Sequence, residues 1–113
     1  MPFIESKIVG PVSQEKKDII VAELGEAMSQ VGKPETFVMI GIEDNYDLYM
    51  GGKKMETGAF VAIRLFGELP RRSYEELTAK ICQLYRRELG IAFHEIYITY
   101  HALDDWGWNG QNF

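Results

Sequence analysis

The order strand, helix, strand occurs twice along the chain, and no other feature restricts the fold as strongly. Phe3 to Val9 alternates as a short strand, "PVS" supplies a turn, and Ser13 is a helix N-cap. Ile20, Leu24, Ala27, Met28 and Val31 then recur at helical period. Gly32 supplies a left-handed stop, and Pro34 forbids continuation. Thr36 to Ile42, "TFVMIGI", is β-rich and nearly all apolar, the pattern of a strand covered on both faces. After "LYMGG", a short strand ending at a glycine turn, the second half repeats the order. Gly58 to Phe66 is a long strand, and Ser73 opens a helix with Glu76 three residues on, a capping box. Leu77, Ile81, Leu84, Tyr85 and Leu89 form that helix's buried side, Gly90 stops it, and Glu95 to Ala102 is the last long strand.

A shift of about 60 residues superposes Ser13 on Ser73, Leu24 on Leu84, Phe37 on Tyr97 and Val38 on Ile98. Two right-handed βαβ units joined into one four-stranded sheet, with both helices on one face, bury these stripes most simply. The expected fold class is therefore α/β (α+β), a single domain over residues 1–113. There is no third helix for the other sheet face, so further subunits are expected to cover it.

At 46% apolar and 26% charged residues the chain has the composition of a globular protein, not a disordered one. Its net charge of -5 argues against nucleic acid and anionic membranes as partners, because both attract basic surfaces. Cys82 is the only cysteine, which excludes an internal disulfide, and its place in an apolar helical stripe reads as a small buried side chain. No apolar run approaches the roughly 20 residues of a membrane span, and "MPFIESKIVG" lacks the basic start and apolar core of a signal peptide. The expected location is cytoplasmic.

Several residues admit both a structural and a chemical reading. Pro2 suits the first residue of a strand, where no ladder donor is needed. If Met1 is removed, it carries instead a free secondary amine, a base that no internal proline offers. Lys33, between a helix-ending glycine and a proline, either complements the helix dipole or anchors a carboxylate. His94 and His101 have no metal-ligand spacing around them, and no metal or cofactor is expected. "GGKK" lacks the glycine spacing of a phosphate loop and reads as a turn. Trp106, Trp108 and Phe113 crowd a tail that would ordinarily be polar; they either dock as core or line an apolar pocket.

Taken in order, "MPF", "GKP" at Gly32 to Pro34, "YMGG" at Tyr49 to Gly52, "YITY" at Tyr97 to Tyr100 and the terminal "WGWNGQNF" resemble the macrophage migration inhibitory factor family of the tautomerase superfamily. The resemblance spans the whole chain. It implies a βαββαβ subunit, a symmetric homotrimer and an active site at each subunit interface. It also implies keto-enol tautomerisation of small aromatic 2-oxo acids of the phenylpyruvate type. Pro2 matches the family's catalytic proline, Lys33 its active-site lysine and Tyr97 the tyrosine reaching in from a neighbouring subunit. Ile63 and Leu65 match the strand segment flanking the pocket, with Leu65 offering its backbone N–H, while Phe37, Trp108 and Phe113 match apolar wall positions. Because the family includes cytokines exported without leaders, the resemblance also implies an alternative: a secreted, host-modulating protein with a receptor and an incidental pocket.

Four positions depart from the family pattern. Thr99 stands where the mammalian members have asparagine, Trp106 replaces a small aliphatic residue, and Phe37 appears where tyrosine is common. The family's cysteine pair is absent, with Thr57 and Phe60 near its place, so its thiol chemistry does not carry over. The chemistry expected of Pro2 is proton transfer between carbon and oxygen of an enol. That requires a neutral amine near pH 7; desolvation by the pocket walls and the charge of Lys33 both lower an amine pKa.

Overall fold

Alternating burial along the first strand shows how the sheet is built. The computed structural model describes every residue from Met1 to Phe113. In β1 (Pro2–Ile8) residues 2, 4, 6 and 8 are buried and the intervening ones are not. The chain continues through α1 (Gln14–Gln30), a 3-10 turn (Glu35–Phe37), β2 (Met39–Glu43) and a small hairpin of β3 (Tyr49–Met50) and β4 (Lys53–Lys54). Then come β5 (Ala59–Phe66), α2 (Arg71–Leu89), a second 3-10 turn (Phe93–Glu95), β6 (Ile96–Leu103) and a terminal hairpin of β7 (Gly107–Trp108) and β8 (Gln111–Asn112). The main sheet has the order β2-β1-β5-β6, with β1 parallel to β2, β5 parallel to β6 and the central pair antiparallel. It joins the two βαβ units expected from the sequence.

Both helices pack on one face. Ile4 and Ile8 of β1 and Val61, Ile63 and Leu65 of β5 meet Ile20, Leu24 and Met28 of α1 and Leu77, Ile81 and Tyr85 of α2, with Cys82 in the same core. Ser6 is the one buried polar residue there, and its hydroxyl bonds the Tyr85 hydroxyl. Burial pushes the Tyr85 pKa up to about 12, so the phenol stays neutral at ordinary pH. Ser6→Ala leaves that phenol without its partner in a dry core and is expected to cost about 1–3 kcal/mol. Adding Tyr85→Phe removes the orphan, so the double variant should lose less than the sum of the two single losses. Urea unfolding at fixed protein concentration measures the difference.

The other sheet face is bare. Phe3, Glu5 and Lys7 of β1, Phe60 and Arg64 of β5, and Tyr97, Thr99 and His101 of β6 share it by register, and neither helix reaches it. Glu5 and Arg64 pair across it at 3.6 Å, and the Lys7 ammonium lies 4.8 Å from the Tyr46 ring centroid.

Three local expectations are corrected. The strand read as Thr36 to Ile42 begins at Met39, because Phe37 and Val38 turn back to bond Pro34 O and Glu35 O at 3.1 Å. It is an edge strand with Met39 exposed, so this chain covers only one of its faces. The second helix begins at Arg71 and not at Ser73. Pro70, with its preset φ of -56°, caps it without a side-chain bond, and Ser73 N–H reaches Pro70 O at 2.9 Å. The Ser73 and Glu76 capping box does not form; Glu76 pairs with Arg72 at 3.4 Å. The last strand starts one residue later than read, since Glu95 closes a 3-10 turn and its carboxylate accepts from Thr57 Oγ1 at 2.7 Å.

Candidate active site

Pro2 lies at the end of the sheet where β1 starts and β5 finishes. It is buried and stands directly opposite Leu65 in the antiparallel register. The neighbouring ladder bond runs from Phe66 N–H to Met1 O at 3.3 Å. Lys33 arrives at the same corner from the end of α1. Its N–H bonds Met28 O at 2.9 Å while Gly32 N–H bonds Ser29 O at 3.1 Å, with Gly32 at a φ of 87°. Those two bonds are a Schellman ending, and they fix the lysine backbone where the helix stops. The ammonium then reaches across to donate to Phe66 O at 3.0 Å.

An open cleft of about 530 Å³ extends from this corner, lined by Met1, Pro2, Phe3, Thr36 to Met39, Trp106, Gly107 and Trp108. The terminal hairpin builds its outer wall. "WNGQ" turns with Asn109 and Gly110 at φ of 54° and 78°, the signature of the tight turn that matches strand twist. That places Trp108 edge-on to Phe37, with centroids 5.8 Å apart, and Phe113 against both Trp108 (6.3 Å) and Phe66 (5.5 Å). Trp106 and Trp108 line the cleft, while Phe113 packs behind Trp108 on Phe66; Trp108 and Phe113 remain about half exposed and do not enter the core.

The electrostatics of the corner lower an amine pKa. The Met1 ammonium is held below the ordinary α-amino value, first by burial and second by the charge of Lys33. Both effects disfavour the protonated form of a base placed there.

Pro2, Lys33, Phe37, Trp106, Trp108 and Phe113 converge at this end of the sheet. Ile63 and Leu65 do not line the cleft: both residues are fully buried, with their side chains in the core beneath the helices. One residue past Leu65, the β1–β5 ladder aims the Phe66 N–H at the terminus. Phe66 was thus missed by sequence reasoning. Its ring, carbonyl and N–H all meet the site, and the glycine after it, Gly67, was the only local signal.

Tyr97 and Thr99 lie elsewhere. Tyr97 pairs with Phe60, five positions along β5 from Leu65 and about 17 Å away at strand rise. It projects 61% exposed from the bare face. Thr99, on that same face, bonds His101 Nε2 at 2.9 Å. Neither can meet Pro2 within one chain. A larger groove of about 980 Å³ beside β6, floored by Tyr74 and Tyr100, contains none of the expected site residues. No cluster of three His, Cys, Asp or Glu side chains is placed to hold a metal.

A profile of the macrophage migration inhibitory factor family matches residues 1–113. No curated protein sequence matches the chain. Among solved structures, MIF2 of Leishmania major superposes with a TM-score of 0.93 at 29% identity, covering 100% of this chain and 97% of that one. The homologue from Prochlorococcus marinus gives 0.88 at 24% identity, covering 98% of each chain. A fused 4-OT protein described as an asymmetric trimer gives 0.84 at 17%, covering 97% of this chain and 94% of that one. The β2-β1-β5-β6 sheet with two helices on one face is the fold these structures share. With its profile matched from the first residue to the last, the chain belongs to the macrophage migration inhibitory factor family.

Proposed function

We propose that this protein is a keto-enol tautomerase for phenylpyruvate-like 2-oxo acids, with the N-terminal amine of Pro2 as its proton carrier. One observation carries the reading: a buried proline, a lysine ammonium and an aromatic cleft meet at the sheet end where the chain begins. Removal of Met1 turns the Pro2 amide into a secondary amine and takes Met1 O away from the Phe66 N–H. That leaves an unpaired main-chain donor beside the new base.

A carboxylate at this corner finds the Lys33 ammonium and the Phe66 N–H, while an aromatic ring lies along Phe37, Trp106 and Trp108. In the ketonisation direction the neutral amine accepts the enol hydroxyl proton, and the resulting ammonium returns a proton to the adjacent carbon. The carbonyl forms as the C=C bond closes onto that proton, so the amine ends neutral. Desolvation and Lys33 keep the amine in the basic form this cycle needs. A signalling protein that only binds has no chemical use for a buried amine paired with an ammonium, and this favours the enzyme. The direct test is turnover of phenylenolpyruvate by protein whose N-terminus has been verified by mass.

The reading includes a homotrimer in which a neighbouring subunit supplies Tyr97 and Thr99. Three features support it: Tyr97 stands too far from Pro2 in its own chain, one sheet face is bare, and a trimer occurs among the fold neighbours. Light scattering at micromolar concentration should give three times the 13.0 kDa chain mass. A monomer at that concentration rules the assembly out.

A further inference from the structure

The Lys33 ammonium is gripped at a point that no side chain controls. Its only hydrogen bond runs to Phe66 O at 3.0 Å, and that carbonyl belongs to the peptide joining Phe66 to Gly67. A trans peptide is planar, with its C=O and N–H pointing in opposite directions. Here the N–H is tied: Gly67 N–H donates to Leu103 O, at the end of β6, at 2.9 Å. Holding that end fixes the direction of the other, and the carbonyl is aimed at Lys33.

Gly67 makes the arrangement affordable. Its φ of 77° is left-handed, and a Cβ built there meets nothing within 4 Å. Glycine is therefore required by the backbone angle and not by crowding. The lysine stem is held independently by the Schellman bonds after α1. One of the three ammonium hydrogens is spent on Phe66 O, which leaves two for a ligand.

We propose that the Phe66–Gly67 peptide, tethered by Leu103 O, is the positioning element for Lys33. It holds the ammonium so that its two remaining N–H groups face a substrate carboxylate, and Gly67 is the positioning residue. This rests on Lys33 being the carboxylate anchor of the tautomerase reading, so one arm of the test is independent of activity.

That arm is NMR. In the processed wild-type protein a scalar coupling across the hydrogen bond links Lys33 Nζ to the Phe66 carbonyl carbon, and the Lys33 ammonium protons exchange slowly enough to be seen. Absence of both overturns the tether. In Gly67→Ala, where an L-residue is forced to positive φ, the ammonium signal is lost. In Gly67→Asn it returns, since asparagine tolerates that angle.

The second arm compares phenylenolpyruvate with its methyl ester. Gly67→Ala should raise KM for the acid about tenfold, with kcat little changed and KM for the ester unmoved. Gly67→Asn should restore the acid KM, and in a Lys33→Ala background Gly67→Ala should add nothing. Equal KM changes for acid and ester, or an effect that persists without Lys33, overturn the proposal. A wild-type chain that turns over neither compound overturns the tautomerase reading instead, and the NMR arm still decides the tether.

Discussion

Protein that retains Met1, or carries an alanine inserted before Pro2, is expected to lose phenylenolpyruvate tautomerisation by about 10²- to 10⁴-fold, the range of general base catalysis. The cause is covalent. An acylated proline nitrogen is an amide with no usable lone pair, whereas the processed nitrogen is a secondary amine. The fold gives this loss little to hide behind. Pro2 keeps its place opposite Leu65, and the β1 residues that enter the core, Ile4 and Ile8, are untouched. Circular dichroism and light scattering should therefore match between the two forms while activity does not. Met1 also lines the cleft, so retaining it obstructs the corner as well as silencing the base. Equal turnover by a mass-verified Met1-retaining sample would eliminate the N-terminal base.

Lys33→Ala is expected to raise KM for the carboxylate substrate about 100-fold, the scale of a charge-assisted hydrogen bond removed from a partly dry site. KM for the methyl ester should change far less. A second consequence has a definite sign. Lys33 lowers the pKa of an amine at this corner, as it does for the Met1 ammonium. Without that cation the Pro2 amine titrates at higher pH, so less of it is free base at neutrality. The acid limb of the kcat/KM profile should move up the pH scale. A profile that stays in place while KM rises would mean that Lys33 binds substrate without tuning the base.

Much of this architecture was legible locally. The helical stripe from Ile20 to Val31 and the apolar alternation from Ala59 to Phe66 name their elements, because side-chain period follows from backbone geometry alone. Gly32, Lys33 and Pro34 announce both the end of α1 and a lysine of fixed backbone, since left-handed φ and a missing N–H are properties of single residues. Having only two helices also announced a bare sheet face.

Other features depend on contacts between distant segments, which no local pattern encodes. Whether Leu65 or Phe66 turns its N–H to the terminus depends on the pairing of β1 with β5, and a shift of one residue reverses every main-chain and side-chain direction along a strand. Ile63 reads equally well as wall or core until the helices are seen to cover it. That Tyr97 lies at the far end of the sheet from Pro2 follows from the parallel register of β5 and β6, which no local pattern encodes. The sequence by itself determined the two βαβ units and the residues that single themselves out at the chain start and after α1. The tertiary structure decided which main-chain atoms meet at Pro2, because hydrogen-bond direction is set by register between strands far apart in the chain.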